Sequence, residues 1–326
     1  KNDDIVEIIN SVMLDRRVVT FGDKLCHNME GDKLQSTLPH YAYLRIADGW
    51  SNKCSYCAIP LIRGKMRSRK MENIIEEAKK FAENGVKELV IVAQDVTAYG
   101  IDLYKKYALP DLLKQLCKID GIKWIRLLYC YPERMTDELI ETIKTEDKVL
   151  NYIDIPIQHC NKEILRNMYR GGDEQSLREL FAKLRREIPG VVLRTTLITG
   201  FPGETEEQFS ELAEFVNDIK FERLGCFAYS AEEDTPAAEM PDQVDEGERQ
   251  RRADIITGEQ EIRMGEYYAG MVGNTYEVVC EGFDRYSDMY FGRSMHFAPE
   301  IDGMIYFTST KEKRPVIGDF INVKIT

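Results

Sequence analysis

The residues whose types and spacing best suit chemistry are Cys54 and Cys57, three apart in the run Ala47-Asp48-Gly49-Trp50-Ser51-Asn52-Lys53-Cys54-Ser55-Tyr56-Cys57-Ala58-Ile59-Pro60. A C-x-x-C pair ligates zinc, works as a redox dithiol or holds an iron–sulfur cluster, because two thiolates on one turn reach a common ion or each other. The chain has no second C-x-x-C, which disfavours a four-ligand zinc ribbon. A thioredoxin-type dithiol opens a helix after a strand, whereas this pair is expected in a loop ending at Pro60, a poor fit. Two cysteines close by chance is the plain alternative. The remaining cysteines, Cys26, Cys117, Cys130, Cys160, Cys226 and Cys280, form no short regular disulfide framework. Without a signal peptide, that favours a reducing cytoplasm. Other polar groups and glycines fall where strands are expected to end: Gln94-Asp95, Gln158-His159, Arg194, and Gly200-Phe201-Pro202-Gly203-Glu204. Each has a plainer role. Gln94-Asp95 suits a helix-entry loop, Gly200–Glu204 a turn before a helix at Thr205, Gln158 and Arg194 a mutual contact, and His159 a structural position.

Strands and helices alternate in the order needed to bring these positions to one mouth. Strands are expected at 40–47, 88–93, 124–129, 152–157, 191–199 and 223–229, with helices at 71–84, 109–119, 136–144, 161–169, 174–187 and 205–218 between them. Six such repeats imply a parallel sheet wrapped by helices, an incomplete TIM-type (β/α)6 barrel with chemistry at the C-terminal strand ends. The expected organisation is a linker over 1–37 with a short helix at 5–14, a core over 38–235, a charged connecting helix within 236–270, and a small antiparallel β-barrel over 271–326. At 43% hydrophobic and 31% charged residues, the composition is that of an ordinary soluble globular protein. No apolar run is long enough to span a bilayer, so no membrane partner is expected, and a monomer is. The chain opens on Lys-Asn-Asp rather than Met, which points to a piece of something longer.

The run around Cys54 resembles the cluster loop of radical S-adenosylmethionine (SAM) enzymes, C-x-x-x-C-x-φ-C after the first barrel strand. In that family three thiolates hold three irons of a 4Fe-4S cluster, and the open fourth iron chelates SAM. The resemblance makes Cys54 and Cys57 the second and third ligands and Tyr56 the aromatic beside adenine. Trp50 stands at the first cysteine position. An indole has no lone pair for iron, so the cluster is expected to be weakened or lost. Ile59–Gly64, Ala93–Gly100, Ile155–His159 and Arg194–Thr205 further resemble radical SAM methylthiotransferases, and the terminal barrel resembles a TRAM domain. By that resemblance Gln94 and Asp95 stand where the SAM amino group is held, Ile198 lies against adenine, and Gly200, Gly203 and Glu204 line the approach. Gln158 and Arg194 reach ribose or carboxylate.

Within the family, Arg126–Pro132, Asp154–His159 and Ala298–Gly303 resemble the branch that methylthiolates an aspartate β-carbon of small-subunit ribosomal protein twelve. Charge agrees. The chain carries −12 overall, and residues 266–326 hold nine Asp or Glu against six Lys or Arg, a net of −3. Such a field attracts a basic protein and repels RNA, although Arg63, Lys65, Arg67, Arg69 and Lys70 form a local basic run. The resemblance implies a sulfur-donating second 4Fe-4S cluster in an N-terminal domain. Cys26 alone is available before residue 38, too few for that cluster, so truncation as well as Trp50 is expected to impair activity. The alternatives are a tRNA adenosine methylthiotransferase, a cluster-free ribosome-binding module, and zinc or a labile cluster borrowing Asp48, Cys26 or Cys160.

Overall fold

A computed structural model describes residues 5–19, 29–31, 35–309 and 314–326. Cys26 lies outside the described residues. The chain opens with α1 (Ile5–Met13), then runs β1 (Tyr41–Arg45), β2 (Ala47–Asp48), α2 (Ile59–Arg63), β3 (Arg67–Ser68), α3 (Met71–Glu83), β4 (Glu88–Val92), α4 (Leu109–Leu116), β5 (Trp124–Leu127) and α5 (Asp137–Thr145). It continues with β6 (Val149–Asp154), α6 (Lys162–Asn167), α7 (Glu174–Glu187), β7 (Val192–Thr199), α8 (Glu206–Ile219), β8 (Arg223–Ala228) and α9 (Glu246–Met271). Four strands end it: β9 (Thr275–Asp284), β10 (Met289–Ser294), β11 (Ile305–Phe307) and β12 (Phe320–Lys324).

The six long strands of the core pair in the order β1-β4-β5-β6-β7-β8, every pair parallel, which is the expected partial barrel. Parallel strands buried on both faces read as continuous apolar runs, as Glu88–Val92 does. Leu44, Leu89, Ile91, Ile125, Leu127, Ile153 and Leu193 face the surrounding helices. The alternate positions Tyr41, Val90, Trp124, Leu150, Tyr152 and Val192 face inward. Helix starts follow from capping. Asp173 with Ser176 and Thr205 with Gln208 make reciprocal capping boxes at α7 and α8.

One expectation needs correction. Pro60 does not end a loop. It occupies the first turn of α2, where its missing N–H costs nothing, so the cysteine pair runs directly into a short helix. The terminal strands form the expected small antiparallel unit, a half-barrel sheet in the order β11-β10-β9-β12.

The terminal sheet packs under the core. Val279 and Ala298 share the inward cluster of the parallel strands. Arg293 donates to Glu88 at 2.8 Å and to Glu281 at 2.8 Å, Arg126 donates to Glu88 at 2.7 Å, and His40 meets Glu281 at 3.0 Å.

Candidate cluster and cofactor site

The cysteine loop leaves β1 through β2, which pairs Ala47 with Ser68 and Asp48 with Arg67 across β3. Gly49 then turns at φ 83°, and a Cβ there would lie 2.3 Å from the carbonyl oxygen of Lys65, so only glycine fits. Trp50 N–H donates to the Gly64 carbonyl at 2.9 Å. Ser55 fastens the far side: its N–H donates to Met168 O at 3.1 Å, its hydroxyl to Asn167 O at 2.7 Å, and its carbonyl accepts from Ala237 N–H at 2.9 Å. Between these anchors Cys57 N–H closes a turn on the Cys54 carbonyl at 3.2 Å, which brings the two thiols to one bend.

Cys54 is buried and Cys57 half-buried. Burial pushes the Cys57 thiol up, the Ile59 N–H works against it, and Cys54 adds to it. At the first ligand position the Trp50 ring tilts against Tyr131 at 6.2 Å, and its buried Nε1 has no hydrogen-bond partner. A 4Fe-4S cluster of this type needs three thiolates, and an indole supplies none. Among the described residues no group of three His, Cys, Asp or Glu stands ready to hold a metal ion. Asp48 is drawn to Arg67 at 3.4 Å, and Cys160 lies in the apolar core with its thiol pushed far up by burial. The donor set therefore does not fit the cluster.

Around the thiols the structure assembles groups that sequence reasoning missed. The Tyr131 ring is flanked by the guanidinium groups of Arg170 at 4.3 Å and Arg134 at 4.7 Å. Burial pushes the Tyr56 hydroxyl well up, opposed by the neighbouring Arg170 and assisted by the Cys54 thiol. Arg170 is buried and donates to Pro156 O at 2.8 Å. Tyr131 sat within a quoted motif, but nothing local marked Arg134 or Arg170.

The expected cofactor residues divide into three sets. Tyr56 and Ile198 meet in one apolar cluster with Ile164, Met168, Phe201 and Tyr229, a wall suited to a flat ring. Gln94 leaves its buried Oε1 without a partner, an acceptor left for a donor such as an ammonium. Asp95 is already engaged: it caps the turn at Ala98 N–H at 3.2 Å and bonds Thr97 and Arg134, whose other nitrogen reaches Asn52 at 2.8 Å. Its carboxyl is raised by burial against those partners. Gln158, at φ 70°, extends the sheet beside β7, its N–H on Thr196 O and its carbonyl under Ile198 N–H, both at 2.9 Å. Arg194 pairs with Asp154 at 2.7 Å rather than with Gln158.

The loop after β7 packs against α9 on one side. Gly200, at φ 69°, approaches α9 closely, since a Cβ there would lie 2.3 Å from Arg249 Cγ. Gly203, at φ 82°, has open space around it. Glu204 turns inward. Its buried carboxylate accepts from Arg252 at 2.8 Å and Gly200 N–H at 3.0 Å, and faces His159 Nε2 at 3.5 Å. His159 uses Nδ1 to accept the N–H groups of Cys160 and Asn161 at 3.0 and 2.9 Å, so Nε2 carries the proton aimed at Glu204. Glu204 Oε1 takes the Arg252 and Gly200 donors, and the buried Oε2, 3.5 Å from His159 Nε2, has no hydrogen-bond partner.

Comparison with known proteins agrees with this geometry. The Radical SAM superfamily profile matches residues 46–216, and the TRAM domain profile matches 272–326. The ribosomal protein uS12 methylthiotransferase RimO of Caldanaerobacter subterraneus subsp. tengcongensis is 48% identical over 322 residues, covering 98% of this chain and 73% of that protein. The protein of the same name from Clostridium botulinum strain Hall is 50% identical over 297 residues, covering 91% of this chain and 66% of its own length. The chain thus spans 66–73% of the length of these curated relatives. Among solved structures, the radical S-adenosylmethionine methyltransferase TsrM from Kitasatospora setae, solved with cobalamin and a [4Fe-4S] cluster, superposes with a TM-score of 0.50 at 16% identity. That match covers 60% of this chain and 38% of that one, a likeness of fold alone. No helix among the described residues is long and apolar enough to cross a membrane. A radical SAM core followed by a TRAM domain, with near-half identity along almost its whole length, makes this chain a member of the radical SAM methylthiotransferase family, on its ribosomal protein uS12 branch.

Proposed function

We propose that this chain is the core and substrate-docking end of an enzyme that replaces a β-carbon hydrogen of an aspartate in ribosomal protein uS12 with a methylthio group. The observation that carries the reading is the Cys54–Cys57 loop, pinned at the C-terminal mouth of a parallel partial barrel whose other end closes on an acidic TRAM domain. In the family, a resident 4Fe-4S cluster and SAM supply the radical chemistry, and a second cluster in an N-terminal domain outside this chain supplies sulfur. This chain's own residues supply the rest. Tyr56 and Ile198 form the wall for the adenine, Gln94 offers an acceptor to the SAM amino group, and Arg134 locks Asp95 to the cysteine loop through Asn52.

With Trp50 at the first ligand position, two thiolates remain, and the cluster chemistry is lost or strongly weakened while docking persists. A ribosomal substrate places that work in the cytoplasm. The net charge of −12 favours a basic protein over a polyanion. Fluorescence anisotropy with labelled uS12 and labelled tRNA tests the substrate class. Saturable binding of uS12 that weakens with salt is expected, with no comparable binding of tRNA. Tight tRNA binding without uS12 binding would overturn the reading in favour of the tRNA branch.

A further inference from the structure

The Ala298–Gly303 segment takes no part in the cofactor end, yet it enters the core. After β10 the chain inserts into the inner face of the parallel sheet. Arg126 donates to Met295 O at 2.9 Å, Ala298 is fully buried there, and Tyr152 hydroxyl donates to Asp302 at 2.7 Å. Between these anchors stands Glu300, exposed and held at φ 63°. A non-glycine residue in that left-handed conformation costs about 1 kcal/mol, so the loop positions this side chain against a local preference. Its two carboxylate oxygens accept one hydroxyl each, from Tyr41 at 2.9 Å and from Tyr43 at 3.0 Å.

Both partners are neutral. Burial first, and then Glu300 itself, pushes the two tyrosine hydroxyls well above their ordinary range, so they remain donors and leave the negative charge in place. The neighbouring carboxylates have cations: Glu88 has Arg126 and Arg293, Glu281 has Arg293, Asp154 has Arg194, and Asp302 lies 3.7 Å from Arg223. Among the described residues none of the ion pairs includes Glu300. An exposed carboxylate held in place by two neutral hydroxyls is a receptor for an ammonium or guanidinium on a long aliphatic stem.

We infer that Glu300 is a substrate-recognition residue: carried by the TRAM domain to the inner wall of the core, it takes a lysine or arginine side chain of the protein substrate. The inference rests on the protein-substrate reading above. The same carboxylate disfavours an RNA backbone, since phosphate and Glu300 repel, so one residue contributes attraction to one substrate class and rejection of the other.

The test is the uS12 titration repeated on the full chain with Glu300→Gln, Tyr43→Phe and Glu179→Gln. Glu179 is an exposed carboxylate on the outer helix α7, and its variant controls for net charge. Glu300→Gln is expected to weaken uS12 binding about tenfold at low salt, with the loss shrinking as salt rises. Tyr43→Phe, which loosens the carboxylate without removing it, is expected to weaken binding less, and Glu179→Gln not at all. Unchanged thermal midpoints separate recognition from folding. Equal binding by Glu300→Gln and the unmodified chain overturns the inference while leaving the substrate reading intact, and so does an equal loss in Glu179→Gln. Absence of uS12 binding by the unmodified chain overturns the substrate reading, and the inference with it.

Discussion

At the scale of single residues, the loop after β7 shows how a polar residue at a strand end serves structure. Glu204 is enclosed by Arg252, the Gly200 N–H and His159, and its carboxyl is held below the usual range by those three against the upward pull of burial. Removing one partner of a buried ion pair leaves the other charge uncompensated, so Arg252→Ala is expected to cost about 3 kcal/mol, read as a lower urea midpoint. A surface role for Arg252 would leave the midpoint unchanged. In the sequence Glu204 follows a Gly-Phe-Pro-Gly turn and reads as a cofactor candidate, and its inward direction depends on α9, nearly fifty residues later. Arg134 and Arg170 were hidden for the same reason: their contact with Tyr131 is set by packing between loops. The Cys54–Cys57 pair was legible as a bend of two thiols because its three-residue spacing is local.

At the scale of elements, the cysteine loop depends on a backbone bend that tolerates no side chain. Gly49 combines φ 83° with a carbonyl oxygen 2.3 Å from where a Cβ would sit. Gly85, at φ 91°, has nothing within 4 Å. Gly49→Ala is therefore expected to cost roughly 3 kcal/mol, conformational strain plus overpacking, while Gly85→Ala costs about 1 kcal/mol from strain alone. Thermal midpoints of the two variants measure the difference, and equal losses would show that the loop has room to move. The alternation of strands and helices was readable because buried parallel strands are apolar throughout and because α7 and α8 announce themselves by capping residues. The start of β6 was not. The strand was expected from Tyr152, yet it runs from Val149, and the Asn151 amide donates to Pro189 O at 3.2 Å.

At the scale of the whole molecule, the terminal sheet is joined to the core by buried charge, and that junction titrates. Burial raises the Glu88 carboxyl, but Arg293 and Arg126 together hold it down at about 2. Its unfolded value is about 4.3, so its contribution is present above that pH and lost as the pH falls toward 2. His296 is held down to about 4 by burial and by Arg223 and Arg126. The unfolded chain takes up that proton near pH 6.5 while the folded chain does not, so stability is lost as the pH falls from about 6.5 toward 4. Urea midpoints are expected to stay level above neutrality, fall below about pH 6.5 and fall further below about pH 4.5. His296→Gln removes the upper part of that decline. Glu88→Gln removes the lower part and starts about 3 to 5 kcal/mol less stable, since it leaves two buried guanidinium groups short of a counter-ion. A flat pH profile would contradict the charged junction. None of it was visible in the sequence, where Glu88, Arg126 and Arg293 are separate and unremarked.

Family and fold rest on the whole chain and not on one thiolate, whereas the proposed loss of the cluster rests on Trp50, and iron content tests it directly. The measurement is iron per chain after anaerobic reconstitution of this chain and of its Trp50→Cys form. About four irons in the Cys form and far fewer with Trp50 are expected, because three thiolates complete the cluster and two do not. About four irons with Trp50 in place would contradict the claim that this indole empties the first ligand position.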